Sequence, residues 1–184
     1  MSTVSVWLRE RSLAVQASVL LAANVLLVLS AQFEIRLWFT PVPITAQTFA
    51  VLVIGATLGW RHGATVVAAY LAQGAVGLPV FAGLKGGPAV LFGPTGGYLF
   101  GFLVAVVLVG WIVERARASR WLVMPFAMGV GMVAIYACGL PVLAAYTGWN
   151  AALAAGVAPF VIGDIVKAAL AAAVAAAATK ANQR

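Results

Sequence analysis

Charged residues are so sparse in this chain that the gaps between them do most of the segmentation. A helix crossing the hydrocarbon of a bilayer needs about 20 apolar residues, within a range of roughly 17–25. Residues 12–33 carry no formal charge and predict a first span. Residues 37–60 are also uncharged, but Pro41 and Pro43 occupy their start, so the second span is expected at 46–60. Residues 63–84 hold a third, expected at 63–79 and ending near Gly77-Leu78-Pro79; a fourth is expected at 95–113. Between Arg120 and Asp164 lie 43 uncharged residues, enough for one complete span and the start of another. These are expected at 121–143 and 158–178, with Pro159 in the first helical turn, where its missing N–H costs nothing. The pattern predicts an all-α integral membrane protein with six transmembrane helices in one domain, residues 1–184. Arg9 and Arg11 ahead of the first span also fit a signal peptide, but an apolar run of 22 residues exceeds the usual 7–15. The span is expected to be retained.

Composition agrees with that pattern. Hydrophobic residues make up 64% of the chain and charged residues 8%, against roughly 45–50% and about 25% in soluble domains. So few charges cannot clothe a water-soluble enzyme of this size. The single cysteine, Cys138, has no disulfide partner and is expected to be a buried structural thiol. The net charge of +7 is scattered between apolar runs rather than gathered on one face, which argues against nucleic acid as a partner. It reflects topology instead. With a cytoplasmic N-terminus, the inner side holds Arg9, Arg11, Arg61, Arg115, Arg117, Arg120, Lys180 and Arg184; the outer side holds Arg36 and Lys85. This bias predicts a multi-pass protein of the inner (plasma) membrane with both termini in the cytoplasm. Arg115, Arg117 and Arg120 read as a stop-transfer anchor that also meets lipid head groups. The Ala-rich stretch from Ala168 to Ala178 reads as a close-packing surface.

Candidate catalytic chemistry is thin. His62 is expected in a two-residue cytoplasmic turn beside Arg61. Of the four carboxylates, Glu10 and Glu114 fall on the inner side and Glu34 at the outer end of the first span; only Asp164 is intramembrane. No acid/base pair, metal site or cofactor site is expected. No phosphate loop is present either, since 83–88 lacks the required spacing, so the chain is not expected to hydrolyse ATP. The anomaly is Asp164 and Lys167, charged residues inside the sixth span and on one helix face. A charge in mid-membrane costs about 2.5–3.5 kcal/mol on insertion scales, so such residues face a cavity or each other. A ligand site and a buried salt bridge fixing helix packing both fit; a proton or ion relay is a third reading, but one carboxylate with no partner acid on another helix makes a poor chain. A helix starting near Pro159 puts Asp164 roughly 8 Å below its outer end. The outer loops at 37–47 and 77–97 are apolar, aromatic and rich in Gly and Pro. If they bury Trp38, Phe39, Phe81 and Phe92, they form either a lid over an outward cavity or a plug in the bundle.

Four segments carry a resemblance: Val42-Pro43-Ile44-Thr45-Ala46-Gln47-Thr48, Gly77-Leu78-Pro79-Val80-Phe81, Gly93-Pro94-Thr95-Gly96-Gly97-Tyr98, and Asp164 with Lys167. Over about residues 13–178 the chain resembles the BioY family, the biotin-specific S components of energy-coupling-factor transporters. The resemblance implies the S-component fold, with outer loops capping an outward-facing ligand pocket. It also implies capture of biotin from outside and work with a transmembrane T component and two ABC-type ATPases. Under it, the substrate-binding candidates are Asp164, Lys167, Lys85, Thr45, Gln47, Phe81, Gly86 and Tyr98. It further implies a small-residue stripe on the first helix that docks on the T component. Ala14, Ser18 and Ala22 fit, with Ser18 where the family has alanine; ordinary bundle packing is the alternative. Biotin offers two ureido N–H donors, a carbonyl acceptor, an apolar fused ring and an anionic valerate. Asp164 and Lys167 could serve the ureido group, and Lys85, the only outer lysine, the carboxylate. An S component for another vitamin, a stand-alone biotin transporter and an intramembrane enzyme are the competing readings. Oligomer formation stays open.

Overall fold

The structure is a computed structural model and describes residues 7–8, 10–116 and 119–181. Arg9, Arg117 and Arg184, counted above among the inner cations, lie outside the described residues. In chain order the elements are α1 (Leu13–Gln32), β1 (Glu34–Ile35), β2 (Ile44–Thr45), α2 (Gln47–Ala75), α3 (Pro88–Leu91), α4 (Gly96–Arg115), α5 (Arg120–Thr147), α6 (Trp149–Gly156) and α7 (Val161–Ala181). Of these, α1, α2, α4, α5 and α7 are long and apolar enough to cross a membrane.

α2 is two antiparallel limbs, 47–58 and 60–75, folded at Gly59. The Gln47 amide donates to the Tyr70 hydroxyl at 2.6 Å, whereas 23 residues of continuous helix would hold them about 34 Å apart. The bundle therefore has six rods. Gly59 adopts φ 76°, ψ 176°, a conformation open essentially to glycine alone. α4 presses on this fold so closely that a Cβ at Gly110 would stand 2.3 Å from the Trp60 nitrogen. Sequence placed the turn at Arg61 and His62; both instead lie in the second limb, because the backbone reversal needs glycine and not a polar pair. That limb ends at Ala75, short of the expected 79. Leu78 N–H bonds back to Gln73 and Gly77 N–H to Gly74, with Gly77 at φ 97°, the hydrogen-bond pattern of a Schellman stop.

Two other boundaries differ. α5 runs on to Thr147, past Pro141. α7 begins at Val161, leaving Pro159 in the hydrogen-bonded turn before it. Asp164 is consequently in the first turn of α7, about 4.5 Å from its start rather than 8 Å. A carboxylate there also meets the positive end of the helix dipole.

Packing forms two layers. Towards the loop end, Tyr70, Phe81, Tyr98, Phe102, Leu143 and Phe160 join one buried cluster. Towards the α2 fold, Ala171, Ala172 and Ala175 of the alanine-rich stretch pack on Leu52, Ala56, Val109 and Met128. Lipid offers no hydrophobic gradient between helices, so such close contact through small residues is what holds them. Cys138 is half-buried rather than buried, a free thiol on α5.

Candidate functional site

A cavity of about 490 Å³ opens where loops 36–43 and 76–95 meet the first turns of α4 and α7 and the middle of α5, at Ile135 and Tyr136. Its walls are mainly apolar, with Leu37, Val42, Val90, Leu99, Phe102, Ile135 and Phe160 among them. Volume and lining fit a small-molecule site.

Asp164 is the centre of its polar side. It is only 7% exposed. Lys167, one turn on, donates to Oδ1 at 3.1 Å, and the Tyr136 hydroxyl of α5 donates to Oδ2. Tyr136 in turn meets the Tyr98 ring edge-on, with centroids 6.4 Å apart. The Tyr98 hydroxyl donates to the Gly156 carbonyl at 3.1 Å, and the Thr40 hydroxyl to the Ala155 carbonyl at 2.8 Å. Those two bonds satisfy carbonyls that the end of α6 leaves open and tie the first outer loop to α6.

Five charged side chains line the cavity: Glu34, Arg36, Lys85, Asp164 and Lys167. Arg36 pairs with Glu34 at 2.6 Å and Lys167 with Asp164 at 3.1 Å. Among the described residues Lys85 has no carboxylate partner, so the cavity carries one uncompensated positive charge. A mainly apolar chamber with a single spare cation at its rim has the chemistry to accept a small, largely apolar monoanion.

The second outer loop is pinned from α1. The Gln32 amide donates to the Val80 and Phe81 carbonyls, and its oxygen accepts from Leu84 N–H at 3.1 Å. Phe81 and Lys85 exchange backbone hydrogen bonds across a tight turn. This turn drives Phe81 inward, edge-on to Tyr70 at 5.3 Å and over Gly74, where a Cβ would stand 1.9 Å from its ring.

Seven of the eight substrate-binding candidates from the sequence therefore share one cavity: Asp164, Lys167, Lys85, Thr45, Gln47, Phe81 and Tyr98. Gly86 does not line it. A Cβ there would stand 2.3 Å from the Leu78 carbonyl, so this glycine serves loop packing. The expectation that four loop aromatics are buried also needs correction. Phe81 is 1% exposed, but Trp38 is 97% exposed, and Phe39 and Phe92 are exposed too. Aromatic rings at the end of a membrane bundle are at home in the interfacial layer, so nothing forces them inward. Ala14, Ser18 and Ala22 all lie on the exposed face of α1. Sequence reasoning missed Tyr136, Thr40 and Phe160; only Tyr136, a hydroxyl within a charge-free span, left any polar trace.

Comparison with known proteins matches this picture. The BioY family model matches residues 5–184. The biotin transporter BioY of Thermotoga maritima is 43% identical over 136 residues, which cover 73% of this chain and 79% of that protein. The biotin transporter BioY of Rhizobium etli is 38% identical over 160 residues, 83% of this chain and 86% of the relative. A crystal structure of the S-component for biotin from an ECF-type ABC transporter has the same fold, with a TM-score of 0.82 over 93% of this chain and 92% of that one, at 23% identity. This multi-pass membrane protein, matched from residue 5 to its last, belongs to the BioY family.

Proposed function

We propose that the chain captures biotin from the outer face of the plasma membrane and serves as the substrate-binding subunit of an ATP-driven vitamin transporter. The observation that carries this reading is the charge pattern of the cavity, two neutralised pairs and one spare cation on apolar walls. In this assignment the fused ring lies among Phe102, Ile135 and Phe160, the ureido group meets Asp164 and Lys167, and the valerate meets Lys85. Thr45, Gln47, Phe81 and Tyr98 complete the wall. Family membership and the two relatives' names support biotin as the ligand. Intact cells producing the protein should retain radiolabelled biotin, and excess unlabelled thiamine or riboflavin should leave it in place. Displacement by one of those vitamins would turn the reading to another substrate.

Lys85 gives a sharper test of ligand orientation. Its side chain is exposed, so the ion pair is worth about 1 kcal/mol at most. Lys85→Met should weaken biotin about fivefold, less at high salt, and leave the uncharged biotin methyl ester within about twofold. Equal losses for both ligands would remove the carboxylate from Lys85.

Orientation belongs to the same proposal: both termini in the cytoplasm, the cavity outside. In a Cys138→Ala background, Trp38→Cys should react with an impermeant maleimide in intact cells. Arg61→Cys, near the α2 fold, should react only after permeabilisation. The reverse pattern would invert the protein.

A further inference from the structure

We infer that Tyr136 is a positioning residue for substrate selection, holding the Asp164 carboxylate in the cavity wall where a ligand's N–H donor is read. The inference rests on the biotin reading above. Lys167 sits on the same helix as Asp164 and turns with it, so their ion pair fixes no direction relative to the rest of the bundle. The outer half of α7 turns Ile162, Ile165, Val166 and Leu170 outward, so near Asp164 the helix is held from one side only. Tyr136 reaches Asp164 from α5 and spends its one hydroxyl proton on Oδ2. Its ring is braced by Tyr98, whose own hydroxyl is committed to Gly156.

A second cavity shows why that anchor matters. It has a volume of about 360 Å³, lies between α5 and α7, and is lined by apolar residues such as Met128, Met132, Ile165 and Ala168. It shares only Tyr136 and Asp164 with the first. Several of its lining residues, Pro125, Val161 and Ile165 among them, are exposed, so it opens on the outside of the bundle, and the hydrogen-bonded pair Tyr136 and Asp164 stands between it and the substrate chamber. Without the Tyr136 hydroxyl, the carboxylate is free to turn with Lys167 out of the substrate chamber.

The test measures affinity for biotin and for its two mono-N-methyl ureido derivatives, each of which lacks one N–H. Wild type, Tyr136→Phe, Asp164→Asn and the double variant are compared, with thermal stability recorded beside each. Tyr136→Phe should weaken biotin about tenfold but leave the methylated compound that lost the N–H read by Asp164 within about twofold, so discrimination shrinks. In the Asp164→Asn background it should add nothing. Equal weakening of all ligands, unchanged affinity, or an undiminished effect on Asp164→Asn would leave Tyr136 a packing residue and overturn the inference. If Tyr136→Phe does not fold, Tyr136→Gln keeps a donor that Tyr136→Leu lacks. Gln should then discriminate better than Leu, and equality overturns the inference. Wild-type protein that binds no biotin overturns the underlying reading instead, and shows this before any variant is compared.

Discussion

Asp164→Asn should weaken biotin binding ten- to a hundredfold in a protein that still folds. The substitution keeps the side chain's shape and replaces a charged acceptor with a neutral amide. Hydrogen bonds to charged groups are worth about 1.5–3 kcal/mol, and each 1.4 kcal/mol is tenfold in affinity. Lys167→Met, which removes the donor and keeps an unbranched stem, should do likewise. A pair that only fixes helix packing predicts something else. Removing one partner would strand a poorly solvated charge and destabilise the fold, while removing both is often neutral. The double variant Asp164→Asn/Lys167→Met separates the two accounts. A folded double variant with weak binding supports a ligand site. Recovery of both stability and wild-type affinity would reduce the pair to a structural ion bridge.

Ser18→Trp or Ala22→Trp should abolish ATP-driven accumulation of biotin and leave binding intact. Both residues lie on the exposed face of α1, one turn apart, with Ala14 completing the stripe. The Ser18 hydroxyl is already bonded to the Ala14 carbonyl at 2.9 Å, so it adds little polarity to that face. Small residues in lipid allow two helix backbones to approach closely, and an indole would hold them several ångströms apart. Co-purification with a T component and its two ATPases, measured beside biotin retention, reads this directly. Normal accumulation in both variants would move the docking face elsewhere and leave room for transport by the chain alone.

How far the sequence could be read follows from where charges stand. Asp164, Lys167 and Lys85 were visible because a charge in an apolar chain is conspicuous, and the cavity brings all three together. Tyr136 and Phe160 were not, since their stretch is uncharged from 121 to 163, and Tyr136 is one of three hydroxyls there, with Tyr146 and Thr147, a trace too weak to single it out. For the same reason α6 leaves no mark in the sequence: eight residues from Trp149 to Gly156 carry no charge and are too short to announce a span. The α2 fold was misplaced by two residues because Arg61 and His62 drew the turn, while the decisive feature is the backbone angle of Gly59, one of 19 glycines. Loop aromatics misled in the opposite direction. Burial was expected from hydrophobicity, yet Trp38 and Phe92 are exposed, and only Phe81, fixed by the Gln32 hydrogen bonds, goes in.

A chamber that holds biotin beneath these loops must also discriminate it from other vitamins. Calorimetric titration of the purified wild-type protein in detergent measures both. Biotin should give a saturable isotherm with one molecule per chain, and thiamine, riboflavin and folate should give no binding heat in the same range. No saturable heat with biotin, or an isotherm of similar affinity with one of the others, would contradict it.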